Sequence, residues 1–160
     1  MSPEIAEFVE QMGLLLEAER FPRIAGRIIG LLLATDGALS LDEIAATLEV
    51  SKASISTNAR QLAEKGVIVR TSIPGDRRDL YTAADDMPRR TLEVRVAKMQ
   101  RARAVLAAGR DTIHAKNRAV RDRLDDMVTS YDVFLDVTQR ALESLPDTLA
   151  ARRAHRGRTK

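Results

Sequence analysis

The chain contains no cysteine and no tryptophan, and only two histidines, three phenylalanines and two tyrosines among 160 residues. Without thiols there is no disulfide framework, no thiol redox switch and no thiolate metal site. His114 and His155 offer little from which to build a histidine metal centre or a nucleophilic triad. The glycines never gather into a phosphate-cradling loop. Asp85/Asp86 and Asp125/Asp126 are paired carboxylates in sequence only, because neighbours on a helix point about 100° apart. Asp85/Asp86 also sits where a helix cap is wanted. An enzyme is therefore the disfavoured class, and no cofactor or metal is expected.

Long apolar runs are missing too. The longest, Ile28–Ala34, falls well short of the roughly 18 residues that suggest a membrane-spanning helix. Met1-Ser2-Pro3-Glu4 lacks the basic start and apolar stretch of a secretory signal. A cytoplasmic location is expected. Basic residues exceed acidic ones, 26 to 23, for a formal charge of +3. Five of those cations (Arg152, Arg153, Arg156, Arg158 and Lys160) lie in the last nine residues, so the rest of the chain is slightly acidic. Bulk charge decides nothing; a nucleic-acid surface would have to concentrate its positive charge locally.

What is present is helical periodicity. Hydrophobic residues make up 44% and charged residues 31% of the chain, a globular composition. Ile5, Phe8, Val9, Met12, Leu15 and Leu16 recur at three- and four-residue spacing and predict a helix over 4–18. Phe21-Pro22 interrupts it, and a second helix over about 22–34 turns Ile24, Ile28, Leu31 and Leu32 inward. Gly26 and Gly30, four apart on that helix, predict close contact with a neighbouring helix. After the turn at Asp36-Gly37, Ser40-Leu41-Asp42-Glu43 has the capping-box pattern and starts a short helix at 41. Ser51 is a good N-cap for the next, which runs to Lys65 before Gly66. Two short helices joined by Glu49-Val50-Ser51 outline a helix-turn-helix.

From Val67 the period changes to two. Val67, Val69, Thr71 and Ile73 alternate with Ile68, Arg70 and Ser72, Pro74-Gly75-Asp76 is turn chemistry, and Arg78–Ala83 returns. A hairpin following a helix-turn-helix is a wing. Leu92, Val96, Met99, Ala102 and Leu106 predict a helix over about 88–108, with a bend permitted between Gly109 and Asn117. A final long helix carries Val120, Leu124, Met127, Val128, Tyr131, Phe134, Leu135, Thr138 and Leu142 and is expected to end at Pro146. The fold class is thus mainly α with a small β-hairpin wing.

The helix after Ser51 carries the functional reading. At 100° per residue Ile55, Ala59 and Leu62 share one side and anchor it against Ile44 and Leu48. The other side holds Ala53, Ser54, Thr57, Arg60, Gln61 and Glu64, with Ser56 completing a cluster of hydroxyls. Small residues let a helix approach a DNA groove, hydroxyls bond phosphate or base edges, and Arg or Gln can grip a base with two bonds. The helix N-terminus favours a phosphate near Ser51 and Lys52. Asp76, Arg77 and Arg78 place two guanidinium groups at the hairpin tip, suited to a narrow minor groove. A solvated surface and an exposed ionic turn are the plainer readings of the same residues.

The run Ser51-Lys52-Ala53-Ser54-Ile55-Ser56-Thr57, with Leu62, Lys65-Gly66-Val67-Ile68 and Asp76-x-Arg78, resembles the MarR family of winged helix-turn-helix regulators. Arg23–Leu32 looks like the GbsR-like branch of that family. Glu7–Gly13, Ile55–Arg60 and Gly75–Arg78 are similar to actinobacterial repressors of MmpL-type membrane exporters. The resemblance covers residues 4–83 well and the remainder in helical pattern only. It implies a transcription regulator, a repressor, whose N-terminal helix and two C-terminal helices interlock in a homodimer. That sets two recognition helices about one DNA turn apart. Wide apolar faces on the first and last helices point the same way. Phe8, Met12, Leu124, Met127, Tyr131, Phe134 and Leu135 are the candidate interface, a purely internal core being the alternative.

The resemblance further implies a lipophilic small-molecule effector near Met12, Leu16, Arg90 and Met99 that shifts the protein away from DNA. A choline-like cation would need an aromatic cage, which the scattered rings do not supply. The expected organisation is a dimerisation helix (1–20), a DNA-binding domain (21–86), dimerisation helices (87–146) and a basic flexible tail (147–160). That tail is a solvated terminus or a source of nonspecific phosphate contacts. The rival function is a winged helix that binds only proteins. It would need Ile55, Ala59 and Leu62 but neither the hydroxyl-rich side nor the arginine tip.

Overall fold

The computed structural model describes residues 1–72, 78–113 and 118–157. It divides into two compact units, Met1–Met87 and Pro88–Lys160. The first is mainly helical with a small sheet. Helix α1 (Pro3–Ala18) starts with Ser2 as N-cap, its Oγ accepting from the Ile5 N–H at 3.4 Å, and α2 (Arg23–Leu33) follows Pro22. The glycines explain how closely these two pack. A Cβ on Gly26 would lie 2.3 Å from the Met12 carbonyl oxygen and 2.8 Å from the Gly13 Cα. Backbone thus meets backbone where a side chain would hold the helices apart.

Arg27 crosses this seam over Gly13. Its Nη2 donates to the Leu48 carbonyl at 2.9 Å, and its Nε lies 2.6 Å from Glu10 Oε1. The Nε–H is not aligned on that oxygen, so the second contact is ionic rather than a hydrogen bond. Glu10 also accepts from Arg23 Nη2 at 2.9 Å. Leu48 closes α3 (Leu41–Leu48), where helical carbonyls lack intrahelical partners and a cation is favoured.

The capping box forms as the sequence predicts: Ser40 Oγ accepts from the Glu43 N–H at 3.3 Å, and Glu43 Oε2 accepts from the Ser40 N–H at 2.7 Å. Glu49 ends α3 in the left-handed region (φ 54°), and Ser51 caps α4 (Lys52–Glu64), its Oγ accepting from the Ser54 N–H at 3.3 Å. Gly66, with φ of 67°, turns the chain into β2 (Ile68–Thr71), which pairs antiparallel with β3 (Leu80–Ala83). Val9, Ile28, Leu32, Ile44, Leu48, Ile55, Ala59, Leu62, Ile68 and Tyr81 form one buried cluster.

Two details add to the sequence reading and two depart from it. A third strand, β1 (Leu39–Ser40), pairs with β3 to give the order β1-β3-β2; two residues are too few to show alternation. In β2 the buried residue is Ile68, while Val69 is exposed, because the strand turns Ile68 toward the cluster behind α4. Helix α5 (Met87–Thr112) passes through Gly109, whose cost of about 1 kcal/mol is borne among strong helix formers such as Ala107 and Ala108. Helix α6 (Arg118–Gly157) does not end at Pro146 but continues to Gly157. Proline removes one intrahelical bond, yet Pro146 is exposed, so water can serve the orphaned carbonyl, and the good helix formers Leu149, Ala150 and Ala151 restore the helix.

In the second unit, Arg103 donates to both oxygens of Asp132 (2.5 and 3.2 Å), and Arg110 lies 3.8 Å from Asp125. The seven residues from Arg103 up to Arg110 match the seven from Asp132 down to Asp125, so the helices are antiparallel there. Val96, Val128 and Leu135 are buried. The hydrogen bond from Arg103, aided by the positive charge of Arg103 and Arg110 and opposed by desolvation, holds the Asp132 carboxyl below its usual range.

Gly26→Ala should destabilise the protein by at least the roughly 1–3 kcal/mol of an overpacked core, because the clash is with backbone that cannot rotate away; a thermal melt within a degree of wild type would refute the seam. For Asp132 the folded value is depressed, so its stabilisation holds above the ordinary carboxylate value of about 3.9 and is lost as pH falls through the folded value. Arg103→Gln should raise the Asp132 titration midpoint, followed by carboxyl NMR, and flatten the acid limb of thermal stability.

Candidate nucleic-acid interface

Helix α4 is held by one side and offered by the other. Ile55, Ala59 and Leu62 are buried, whereas Ala53, Thr57, Arg60, Gln61 and Glu64 are exposed and Ser54 and Ser56 are half-buried. The exposed set runs along one side of the helix, a strip of small and hydrogen-bonding groups. Thr57 donates its hydroxyl to the Ala53 carbonyl at 3.0 Å, which leaves its oxygen lone pairs directed outward as acceptors. Arg60 has no ion-pair partner among the described residues. Its guanidinium is available to an external acceptor.

Asn58 is a residue that the sequence pattern did not single out. It is buried on the anchoring side and donates to the Ser54 carbonyl at 2.9 Å. An amide there satisfies part of its own hydrogen bonding against the helix it sits on, and it fixes Ser54 at the edge of the exposed strip.

Lys52, at the start of α4, is engaged by Asp42 of α3, with Nζ 2.8 Å from one carboxylate oxygen and 2.9 Å from the other. Arg78, at the root of β3, lies 3.7 Å from Glu43 Oε1. Glu43 therefore uses Oε2 to cap α3 and Oε1 to face the hairpin. Periodicity shows the first role, but the second depends on the β1–β3 pairing that sets Ser40 opposite Leu80. Arg70 of β2 pairs with Asp79 across the hairpin, and with Thr71 and Ser72 they line an open polar groove. Asp76 and Arg77 lie outside the described residues.

The other candidates fall in both units. On α1, Phe8 is exposed, while Met12 and Leu16 are half-buried, Met12 packing on α2 beside Gly30. On α5, Met99 is half-buried and Arg90 exposed. On α6, Leu135 is 9% exposed and already covered within its own chain, Leu124 and Tyr131 are half-buried, and Met127 and Phe134 are 45% and 56% exposed. Tyr131 and Phe134 meet edge to face with ring centroids 6.4 Å apart. Val133 and Val137, which the helical pattern did not pick out, are also exposed. With Met127, Phe134 and Val137 within one arc of the helix, α6 presents an apolar strip to solvent. Among the described residues no helix is long and apolar enough to cross a membrane.

Comparison with known proteins places this geometry. Residues 21–79 match the model of the MarR family, the stretch from α2 into the hairpin. The HTH-type transcriptional regulator MmpR5 of Mycobacterium tuberculosis (strain ATCC 25618 / H37Rv) is 46% identical over 80 residues, 49% of this chain and 48% of that protein, so the match spans about half the length of that relative. A crystal structure described as that of a transcriptional regulator is 32% identical, with a TM-score of 0.74, covering 91% of this chain and 99% of that one. With a recognition-helix geometry built on the matched segment and a relative alike over nearly its whole length, the chain belongs to the MarR family of winged helix-turn-helix transcriptional regulators.

Proposed function

We propose that the protein is a homodimeric, sequence-specific repressor that lays α4 in the major groove of duplex DNA and its hairpin in the adjacent minor groove. The observation that carries this reading is the two-sided character of α4, with an apolar side locked into the core and Ala53, Thr57, Arg60 and Gln61 outward. Ala53, Ser54 and Ser56 allow close approach, Thr57, Arg60 and Gln61 meet base edges, and Lys52 meets phosphate near the helix N-terminus. Asp76, Arg77 and Arg78 form the wing contact. A protein-interaction module would have no use for such a hydroxyl- and guanidinium-bearing strip.

Dimerisation is assigned to α1, α5 and α6. The support is the solvent-facing strip of Met127, Phe134 and Val137, since large apolar patches on a soluble chain usually mark an interface. Leu124, Tyr131 and Leu135 back that strip, and Phe8 is the exposed candidate on α1. The effector is a lipophilic molecule, methionine being well suited to variable apolar ligands; the candidate contacts are Met12 and Leu16 in the first unit and, separately, Arg90 and Met99 in the second. The resemblance to repressors of MmpL-type exporters supports an exporter gene as the target of a repressor working in the cytoplasm.

Sequencing the fragments that the protein retains from its own genomic DNA tests the reading directly; a shared motif with two half-sites about one turn apart is expected, and retention without any motif would defeat it. Arg78→Ala should weaken operator binding while leaving a folded dimer. Thr57→Ala or Gln61→Ala should change sequence preference, at about 1–3 kcal/mol for each bidentate base pairing removed, more than affinity for random DNA. Phe134→Asp should give a monomer in sedimentation velocity, and an unchanged dimer would move the interface off α6.

A further inference from the structure

We propose that Asp42 and Glu43 are internal competitors for phosphate, which hold down the electrostatic part of DNA binding. The inference rests on the DNA-binding reading above and adds two residues to it. Both carboxylates belong to the first turn of α3. Asp42 holds Lys52 at 2.8 Å, and Glu43 faces Arg78 at 3.7 Å. Two of the cations assigned to DNA contact are thus each set against a carboxylate of the same turn, and Arg70 with Asp79 repeats the arrangement across the hairpin.

These pairs are built to exchange. Their side chains are between about half and two-thirds exposed, so water and salt screen the attraction and little is lost on parting. A phosphate oxygen presents the same chemistry to an ammonium or guanidinium group as a carboxylate does, with a polyanion behind it. When Lys52 and Arg78 turn to the DNA, Asp42 and Glu43 each lose that cation beside a polyanion and draw others back from solution. That uptake offsets part of the counterion release that drives binding. Affinity for any duplex is therefore lower, and less sensitive to salt, than the number of phosphate contacts implies. Binding then leans on base contacts from α4, and the complex stays easy to dissolve.

The two roles of Glu43 can be separated chemically. Glutamine serves a capping box as glutamate does, so Glu43→Gln keeps the Ser40 cap and removes the charge that faces Arg78. Asp42→Asn likewise keeps shape. The test measures binding of a short random-sequence duplex across a salt series, for the wild-type chain, for D42N/E43Q, and for Asp42→Asn placed in a Lys52→Gln background. Melting temperatures confirm that each variant is folded. The double variant should bind about two- to fivefold more tightly per pair released. Its log–log salt slope should steepen by up to about 1.8, two recovered contacts at roughly 0.9 each. In the Lys52→Gln background, Asp42→Asn should leave the slope unchanged, because no pair remains to break. An unchanged slope in the double variant, weaker binding, or the same steepening without Lys52 would overturn the proposal while leaving DNA binding intact. A wild-type chain that retains no duplex at low salt would overturn the DNA-binding reading and this inference together.

Discussion

The close approach of α1 to α2 is the constraint on which the first unit depends. Gly26 and Gly13 let the two backbones touch, and at that short distance Arg27 reaches both Glu10 on α1 and the end carbonyl of α3. One guanidinium thus ties three helices together and closes a carbonyl that precedes the turn of the helix-turn-helix. The direction in which α4 leaves that turn is further fixed by Glu49, held in a left-handed conformation that costs a residue with a side chain roughly 1–2 kcal/mol. A strained position of this kind persists only where its surroundings over-determine it. The surroundings here are Leu48, fully buried, on one side and the Ser51 cap on the other.

From that frame the outward surface follows. With Ile55, Ala59 and Leu62 committed to the core, rotation of α4 about its axis is settled, and residues on the side opposite Ile55 have no choice but solvent or a ligand. The same logic reaches the hairpin through a different element. Ser40 is both the last residue of β1 and the N-cap of α3, so strand pairing with β3 and the start of α3 are one structural event. Glu43, by capping α3, is automatically delivered to the loop-proximal end of β3 beside Arg78.

Much of this was legible in the sequence, and the reason is that local signals dominate it. The Ser40/Glu43 box, the Ser51 cap and Gly66 located both short helices to within a residue, since each is a backbone hydrogen bond or a φ requirement satisfied inside a few residues. The Gly26 and Gly30 spacing announced a close helix neighbour. What sequence could not show were pairings between elements: Lys52 with Asp42, Arg78 with the distant Glu43, and the phase of β2, which depends on which side the core lies. Pro146 misled for the opposite reason. A strong local rule against proline in a helix was outweighed because the residue faces water and good helix formers follow.

The second unit shows why exposure, and not hydrophobic spacing alone, identifies a candidate interface. Spacing groups Leu124, Met127, Tyr131, Phe134 and Leu135 on a broad arc, but a 40-residue helix buries only part of such an arc within its own chain. Leu135 and Val128 are covered within the chain, whereas Met127, Phe134 and Val137 are left in water. Burying an exposed phenylalanine or methionine contributes about 1.5–3 kcal/mol, a stabilisation that a monomer would forgo while also losing solubility. The ionic bridges Arg103–Asp132 and Arg110–Asp125 cross the other side of the same helix. The polar bridging of α5 to α6 and the apolar strip facing away from it are therefore separate surfaces, one of which is satisfied in the single chain and one of which is not.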